Sequence, residues 1–111
     1  MPIERGDVYW VAFDPSVGGE IQKTRPAVVI SNNAANLVMN RVQVVPITSK
    51  TERLYPGDAY IEVNGEKRKA MASQLATASK LRFRDKLGSV RPEDMVRVEA
   101  AIGLQLGLTL K

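Results

Sequence analysis

Gly18-Gly19-Glu20-Ile21-Gln22-Lys23-Thr24-Arg25-Pro26-Ala27-Val28-Val29-Ile30 is a polar, glycine-led stretch that passes through an arginine and a proline into an unbroken apolar run. The run at 27–30 is bounded by the turn-forming Ser31-Asn32-Asn33 and predicts a short strand buried on both faces, or nearly so. Proline biases the residue before it toward extended geometry, so Arg25 enters that strand extended. Pro26 itself brings no N–H to the ladder. A permanently charged guanidinium therefore stands at the mouth of a core strand.

The next strand is expected at 42–48, Val-Gln-Val-Val-Pro-Ile-Thr. Only about ten residues separate the two, fewer than a parallel crossover needs, which makes them antiparallel neighbours. With Ile30 opposite Val42 or Gln43, the register carries Arg25 to Ile47 or Thr48. The guanidinium and the Thr48 hydroxyl can then face one pocket at the end of the sheet, beside polar loops at 14–24 and 49–58. A slip of one residue would turn the side chains to opposite faces. An arginine beside a hydroxyl suits phosphate, because its five donors lie in a plane that matches phosphate oxygens and its charge is permanent. The alternative is an ion pair from Arg25 to a carboxylate such as Glu20, with Thr48 merely ending its strand. Composition and spacing leave both open.

Residues 6–13 read as a first strand, broken by Asp14-Pro15-Ser16. Residues 34–39 hold a turn or two of helix. Residues 59–63 and 69–75 read as a hairpin around the tight-turn pair Asn64-Gly65, and 88–90 as a short strand or bend. Pro92 suits the first position of a helix, and Glu93 and Asp94 suit its positive end. Met95, Val98, Ile102 and Leu106 then recur at helical spacing. Gly103 and Gly107 fall on one side of that helix, as chain-end tolerance or as close packing against another backbone. Five or six short, mostly antiparallel strands with a closing helix predict a mainly β, α+β fold, a half-open barrel or curled sheet in one domain over 1–111.

Hydrophobic residues are 44% of the chain and aromatics 5%, so aliphatic side chains must fill the core. The formal charge of +4 tilts the expectation toward an anionic partner. The chain has no cysteine, which excludes disulfides, thiolate nucleophiles and thiolate metal sites. It has no histidine, which removes the commonest general acid–base and the commonest transition-metal ligand. No cofactor or metal is implied. No apolar run approaches the roughly 18 residues of a membrane span, and a cytoplasmic, reducing location is expected.

Arg5-Gly6-Asp7-Val8-Tyr9-Trp10, Asp14-Pro15, Gly18-Gly19-Glu20-Ile21, Lys23-Thr24-Arg25-Pro26-Ala27-Val28-Val29-Ile30-Ser31, Val45-Pro46-Ile47-Thr48-Ser49 and Ser73-Gln74 with Lys80-Leu81 occur in this order. Together they strongly resemble the MazF/PemK family of toxin endoribonucleases across essentially the whole chain. The resemblance implies a small SH3-like, half-open antiparallel β-barrel of the MazF/CcdB type with a C-terminal helix, working as a homodimer. It implies metal-independent cleavage of single-stranded RNA at short sequence motifs, by attack of a ribose 2′-hydroxyl on the adjacent phosphate. It also implies a cognate antitoxin whose acidic, partly disordered tail lies along the RNA groove.

On this resemblance Arg25 is the catalytic arginine and Thr48 the catalytic hydroxyl. Glu20 is either the base or the residue that orders its loop. Gln22, Lys23, Ser49, Lys50, Arg53, Tyr55, Gln74, Arg82 and Arg84 are the expected RNA contacts. Some relatives place an aspartate before the glutamine and an arginine two residues earlier. This chain has Ser73 and Met71 there, which favours the Arg25 and Thr48 version of the chemistry. Lys80, Arg82, Arg84 and Lys86 alternate and would share one face of an extended segment, meeting phosphates or forming a solvated edge that discourages aggregation. Tyr55 either stacks on a base or anchors its loop, and Trp10 reads as core or interface ahead of base stacking. Two other functions compete. A topoisomerase poison of the CcdB type acts through bulky residues at the end of the last helix, whereas 106–111 here contain no tryptophan. The other is a nucleic-acid-binding barrel without turnover.

Overall fold

In the computed structural model, which describes residues 2–14, 17, 18 and 23–108, strand β2 (Thr24–Val29) runs between β1 (Asp7–Ala12) and β3 (Arg41–Thr48). Helix α1 (Asn33–Val38) joins β2 to β3, capped by Asn32, whose side chain accepts from the Ala35 N–H. The chain continues through β4 (Asp58–Val63), β5 (Glu66–Met71), β6 (Ala76–Ser79) and β7 (Phe83–Ser89) into helix α2 (Pro92–Leu106). All ladders are antiparallel, in the order β4-β5-β3-β2-β1-β7, with β6 also bonded to β3. Among the described residues no helix is long and apolar enough to cross a membrane.

The apolar run is buried on both faces, as expected. Ala27, Val28 and Val29 are all 0% exposed, because strand alternation sends them to two different cores. Val28 joins Val8, Val45, Ile47 and the α2 residues Met95, Val98 and Ala101. Ala27 and Val29 join Tyr9, Val11, Val42, Val44 and Ala78. Tyr9 meets Phe83 edge-on, and burial, reinforced by the Asp7 carboxylate, pushes its phenol above the ordinary value.

The β2–β3 register is the second of the two expected: Ala27 faces Pro46, Val28 faces Val45 and Val29 faces Val44. The Ile30 N–H donates to the Gln43 carbonyl at 2.9 Å, so the backbone groups of even-numbered residues in β2 point toward β3. The next such residue toward the loop end is Pro26, which has no N–H to give. The ladder stops at Ala27 and Pro46, one rung short of it. Pro46 sits in β3 for a related reason. On its other flank β3 pairs with β6 through 41–44 and with β5 through 47–48, and Pro46 falls in the seam between them.

Several boundaries differ from the sequence expectation. The Asn64-Gly65 turn has two residues in the left-handed region (φ 53° and 80°), so β5 starts at Glu66 rather than 69. Residues Ala72–Gln74 wind into a 3-10 turn instead of extending the hairpin. Strand β6 was not anticipated, since Ala-Thr-Ala-Ser has little apolar alternation and exists by pairing with β3. Residues Lys80–Arg82 form a second 3-10 turn, so 80–86 is not one extended segment. In α2, Ala101 is buried while Leu106 is 53% exposed, because the last turn runs past the sheet. Gly103 is buried, whereas Gly107 is not interior: at φ 70° it ends the helix, and Leu108 N–H caps Gly103 O.

Asp94 does more than complement the helix dipole. Its carboxylate is 1% exposed and accepts from the Glu62 N–H of β4 at 3.0 Å and from Arg97 at 3.1 Å. It thereby fixes the start of α2 to the sheet. We expect Asp94→Ala to lower unfolding free energy by about 2 kcal/mol in urea denaturation, by leaving the Glu62 N–H without its acceptor. Asp94→Asn, which keeps an acceptor oxygen, should lose roughly half as much.

Candidate functional site

Where the β2–β3 ladder stops, an open depression of about 260 Å³ lies at the sheet end. Lys23, Thr24, Arg25 and Pro26 line it from β2 and the residue before it; Ile47, Thr48 and Ser49 line it from the end of β3. Trp10 of β1 and Arg68 of β5 complete it. Arg25 and Thr48 thus meet the same space, although the rung that would pair them is not formed. Lys23, Arg25 and Arg68 supply three cations, and no carboxylate is among the described lining residues. Such a cluster raises the local concentration of anions.

Thr48 Oγ1 accepts the Lys50 N–H at 3.2 Å. A hydroxyl that accepts through one lone pair still has its proton to donate. Lys23 closes the neighbouring loop: Phe13 N–H donates to its carbonyl at 2.9 Å, and its own N–H donates to Asp14 Oδ1 at 2.8 Å. Its φ of 65° is a conformation that side-chain-bearing residues adopt at a cost. Glu20 and Gln22 lie outside the described residues.

The second loop is held by a buried ion pair. Lys69 Nζ lies 3.2 Å from Asp58 Oδ2, with the two side chains 9% and 5% exposed. The ammonium also donates to the Arg53 carbonyl at 3.0 Å, and Asp58 Oδ2 accepts the Tyr55 N–H at 2.9 Å. Tyr60 Oη donates to the Thr51 carbonyl at 2.8 Å. Arg53 donates to the Tyr55 hydroxyl at 3.2 Å. Tyr55 is therefore tied into the loop while remaining 54% exposed, and neither it nor Arg53 lines the depression.

The other anticipated contacts are dispersed. Ser49 lines the depression, and Lys50 follows it on the exposed loop. Gln74 sits in the 3-10 turn after β5, away from the depression's lining. Arg82 is spent on backbone, donating to the carbonyls of Ala12, at 3.0 Å, and Asp14. Arg84 donates to the Leu81 and Phe83 carbonyls, and Lys86 pairs with Asp7 at 3.3 Å. The alternating cations of 80–86 therefore bind their own chain, and the four do not form one face. Two lining residues bear on the expectation for the site. Trp10, read as core or interface, is 37% exposed at its edge. Arg68 had no local signal, because only the β3–β5 pairing brings it there.

A family model for the PemK-like, MazF-like toxin of type II toxin-antitoxin systems matches residues 4–106. The chain belongs to this family. Endoribonuclease MazF9 of Mycobacterium tuberculosis is 30% identical over 115 residues, covering 96% of this chain and 98% of the relative. The endoribonuclease toxin MazF of Escherichia coli is 32% identical over 105 residues, covering 94% of each. MazF from Deinococcus radiodurans superposes with a TM-score of 0.83 at 26% identity, over 95% of this chain and 96% of that one. A mycobacterial endoribonuclease in complex with its cognate antitoxin superposes with a TM-score of 0.80 at 27% identity, over 97% and 98%. The expected mainly β half-barrel with a C-terminal helix is thus the fold of this MazF-like chain.

Two stability measurements check the loop anchors. Lys69→Met should reduce unfolding free energy by about 3–5 kcal/mol, because it strands the buried Asp58 carboxylate. Lys23→Gly should stabilise by roughly 0.5–1 kcal/mol, as relief of the left-handed conformation exceeds the entropy of a glycine.

Proposed function

We propose that this MazF-like chain is the toxin of a toxin–antitoxin pair and acts as a metal-independent, sequence-specific endoribonuclease on single-stranded RNA. The observation that carries this is the convergence of Arg25 and Thr48 on one cation-lined depression at the unzipped end of β2 and β3. The endoribonuclease names of its relatives support the same reading.

In this mechanism the ribose 2′-oxygen forms a bond to the adjacent phosphorus while the bond from phosphorus to the 5′-oxygen breaks. The products are a 2′,3′-cyclic phosphate and a free 5′-hydroxyl. RNA brings its own nucleophile, so a chain without cysteine or histidine is chemically sufficient. Arg25 offsets the charge that develops on the non-bridging oxygens; its high pKa suits it to that role better than to proton donation. Thr48 donates its hydroxyl proton to a non-bridging oxygen or orients the 2′-hydroxyl. The proton leaving the 2′-oxygen goes to Glu20 or to water, and the departing 5′-oxygen takes its proton from water. Lys23 and Ser49 hold the RNA beside the scissile bond, with Trp10 offering a ring for a base. Gln22, Lys50, Arg53, Tyr55, Gln74, Arg82 and Arg84 make the remaining contacts to the RNA.

The partner is an antitoxin whose acidic tail covers the cationic depression. A neighbour of the same fold is known in complex with its antitoxin. The active form is a homodimer in the cytoplasm. Leu37, Val38 and Leu81, each at least 75% exposed, are the kind of apolar surface that a second subunit removes from water.

The test is incubation of the purified protein with a long RNA in EDTA, followed by mapping of the new ends. Cuts at a short motif are expected, with 5′-hydroxyl termini, and a single 2′-deoxy substitution at the cut should block them. Arg25→Ala should slow cleavage by about 10²–10³-fold. RNA that stays intact at every protein concentration would refute the proposal, and trapping of a topoisomerase on DNA would favour the poison instead.

A further inference from the structure

The end of β3 has an arginine on each flank. On one side the β2 register, continued past its last rung, sets Arg25 opposite Thr48. On the other, β5 pairs Ala70 with Ile47 and Lys69 with Thr48, so the same register continued sets Arg68 opposite Ser49. Both arginines line the same depression. Their backbones are two strand spacings apart, about 10 Å. A single phosphate held by Arg25 leaves room for the next stretch of RNA backbone on the β5 side.

The bonding of Arg68 is incomplete. Its Nε is buried and, among the described residues, has no hydrogen-bond partner. Buried donors left unpaired are rare in folded proteins. On the same edge of the guanidinium, Nη2 lies 3.6 Å from a Glu66 carboxylate that is 73% exposed. That separation is too long for a hydrogen bond, and such exposed pairs hold weakly. The side chain is largely shielded, at 21% exposure, yet among the described residues Nε has no acceptor and Nη2 has only this long ion pair. A small rotation toward the depression would set Nε and Nη2 on two oxygens of one phosphate, the bidentate geometry that guanidinium favours.

We propose that Arg68 is a second phosphate-binding residue of this site, holding the RNA phosphate that flanks the scissile one. This rests on the endoribonuclease reading. It assigns the chemistry to Arg25 and the grip on the flanking backbone to Arg68. Arg68 acts mainly in substrate binding, so its loss is felt in KM before kcat.

The experiment compares wild type, Arg68→Ala, Arg68→Gln, Arg68→Lys, Glu66→Gln and Arg25→Ala, each checked for an unchanged thermal midpoint. Steady-state cleavage is measured on a short RNA containing the cut motif. Binding is measured across salt concentrations on the same oligonucleotide with a 2′-deoxy at the cut. Arg68→Ala and Arg68→Gln should raise KM about 10-fold with kcat within about threefold. The slope of log affinity against log salt should fall by about 0.7, the value of one phosphate contact to a single strand. Arg68→Lys should restore the slope, and Glu66→Gln should leave cleavage and slope as in wild type, showing that the ion pair itself is not the cause. An unchanged KM and slope in Arg68→Ala, while Arg25→Ala stops cleavage, overturns the proposal and leaves the endoribonuclease reading intact. A fall in kcat alone overturns it too. If wild type binds but does not cut, the endoribonuclease reading fails, and the salt slope still decides for or against Arg68.

Discussion

Pro26 lacks an N–H at the one position in β2 where a hydrogen bond to β3 would be made next. The next residues, Ala27, Val28 and Val29, are fully buried and hold the two strands together, and beyond Ala27 and Pro46 the ladder ends. The space that opens takes Arg25 from one strand and Thr48 from the other. A ladder continued to the strand ends would have filled that space with backbone bonds. The six residues of β2 thus combine a doubly buried half with an end that pairs with β1 alone and is open on its β3 flank. Side chains on such a scaffold are positioned by the sheet while their tips remain open to a ligand.

The second wall depends on a different kind of interaction. Lys69 and Asp58 are too well buried for their charges to be left alone, and each gains hydrogen bonds from or to the 49–57 loop. Burying a charge pair is rarely a net source of stability, but it is strongly orienting, because neither partner tolerates a lost contact. Here it ties a polar loop with no regular structure to the edge of the β4–β5 hairpin. Arg82 plays a comparable part at the end of β1 through its bonds to the Ala12 and Asp14 carbonyls. Cations that look from composition like RNA ligands are thus divided between those that hold the loops and those that face the depression.

Much of this was legible in residue order. The doubly apolar run, the proline that follows Arg25, the Asn64-Gly65 turn and the periodicity of α2 are all local signals, and each corresponds to an element or a boundary. The register of β2 on β3 was narrowed to two choices by the loop length and the apolar pattern, and the observed one is among them. What was not legible has a common cause. Strand β6 carries too little apolar alternation to declare itself and is defined by its partner. The cations of 80–86 alternate in sequence, but a 3-10 turn interrupts them, and their acceptors belong to β1 and to neighbouring carbonyls. Trp10 looks like a core residue by type and lies at the rim of the depression.

By itself the sequence determined the membership in the MazF-like toxins and the antiparallel character of the fold, and it narrowed the partner of Arg25 to Ile47 or Thr48, because these follow from ordered short motifs, short connections and the apolar pattern. Only the tertiary structure decided that the β2–β3 ladder ends before Arg25 and Thr48, that Lys69 is buried while Lys23 lines the site, and that Arg68 joins it from β5. Those facts depend on which strands lie on each flank of β3, and pairing between segments some twenty residues apart leaves no periodic trace in either segment alone.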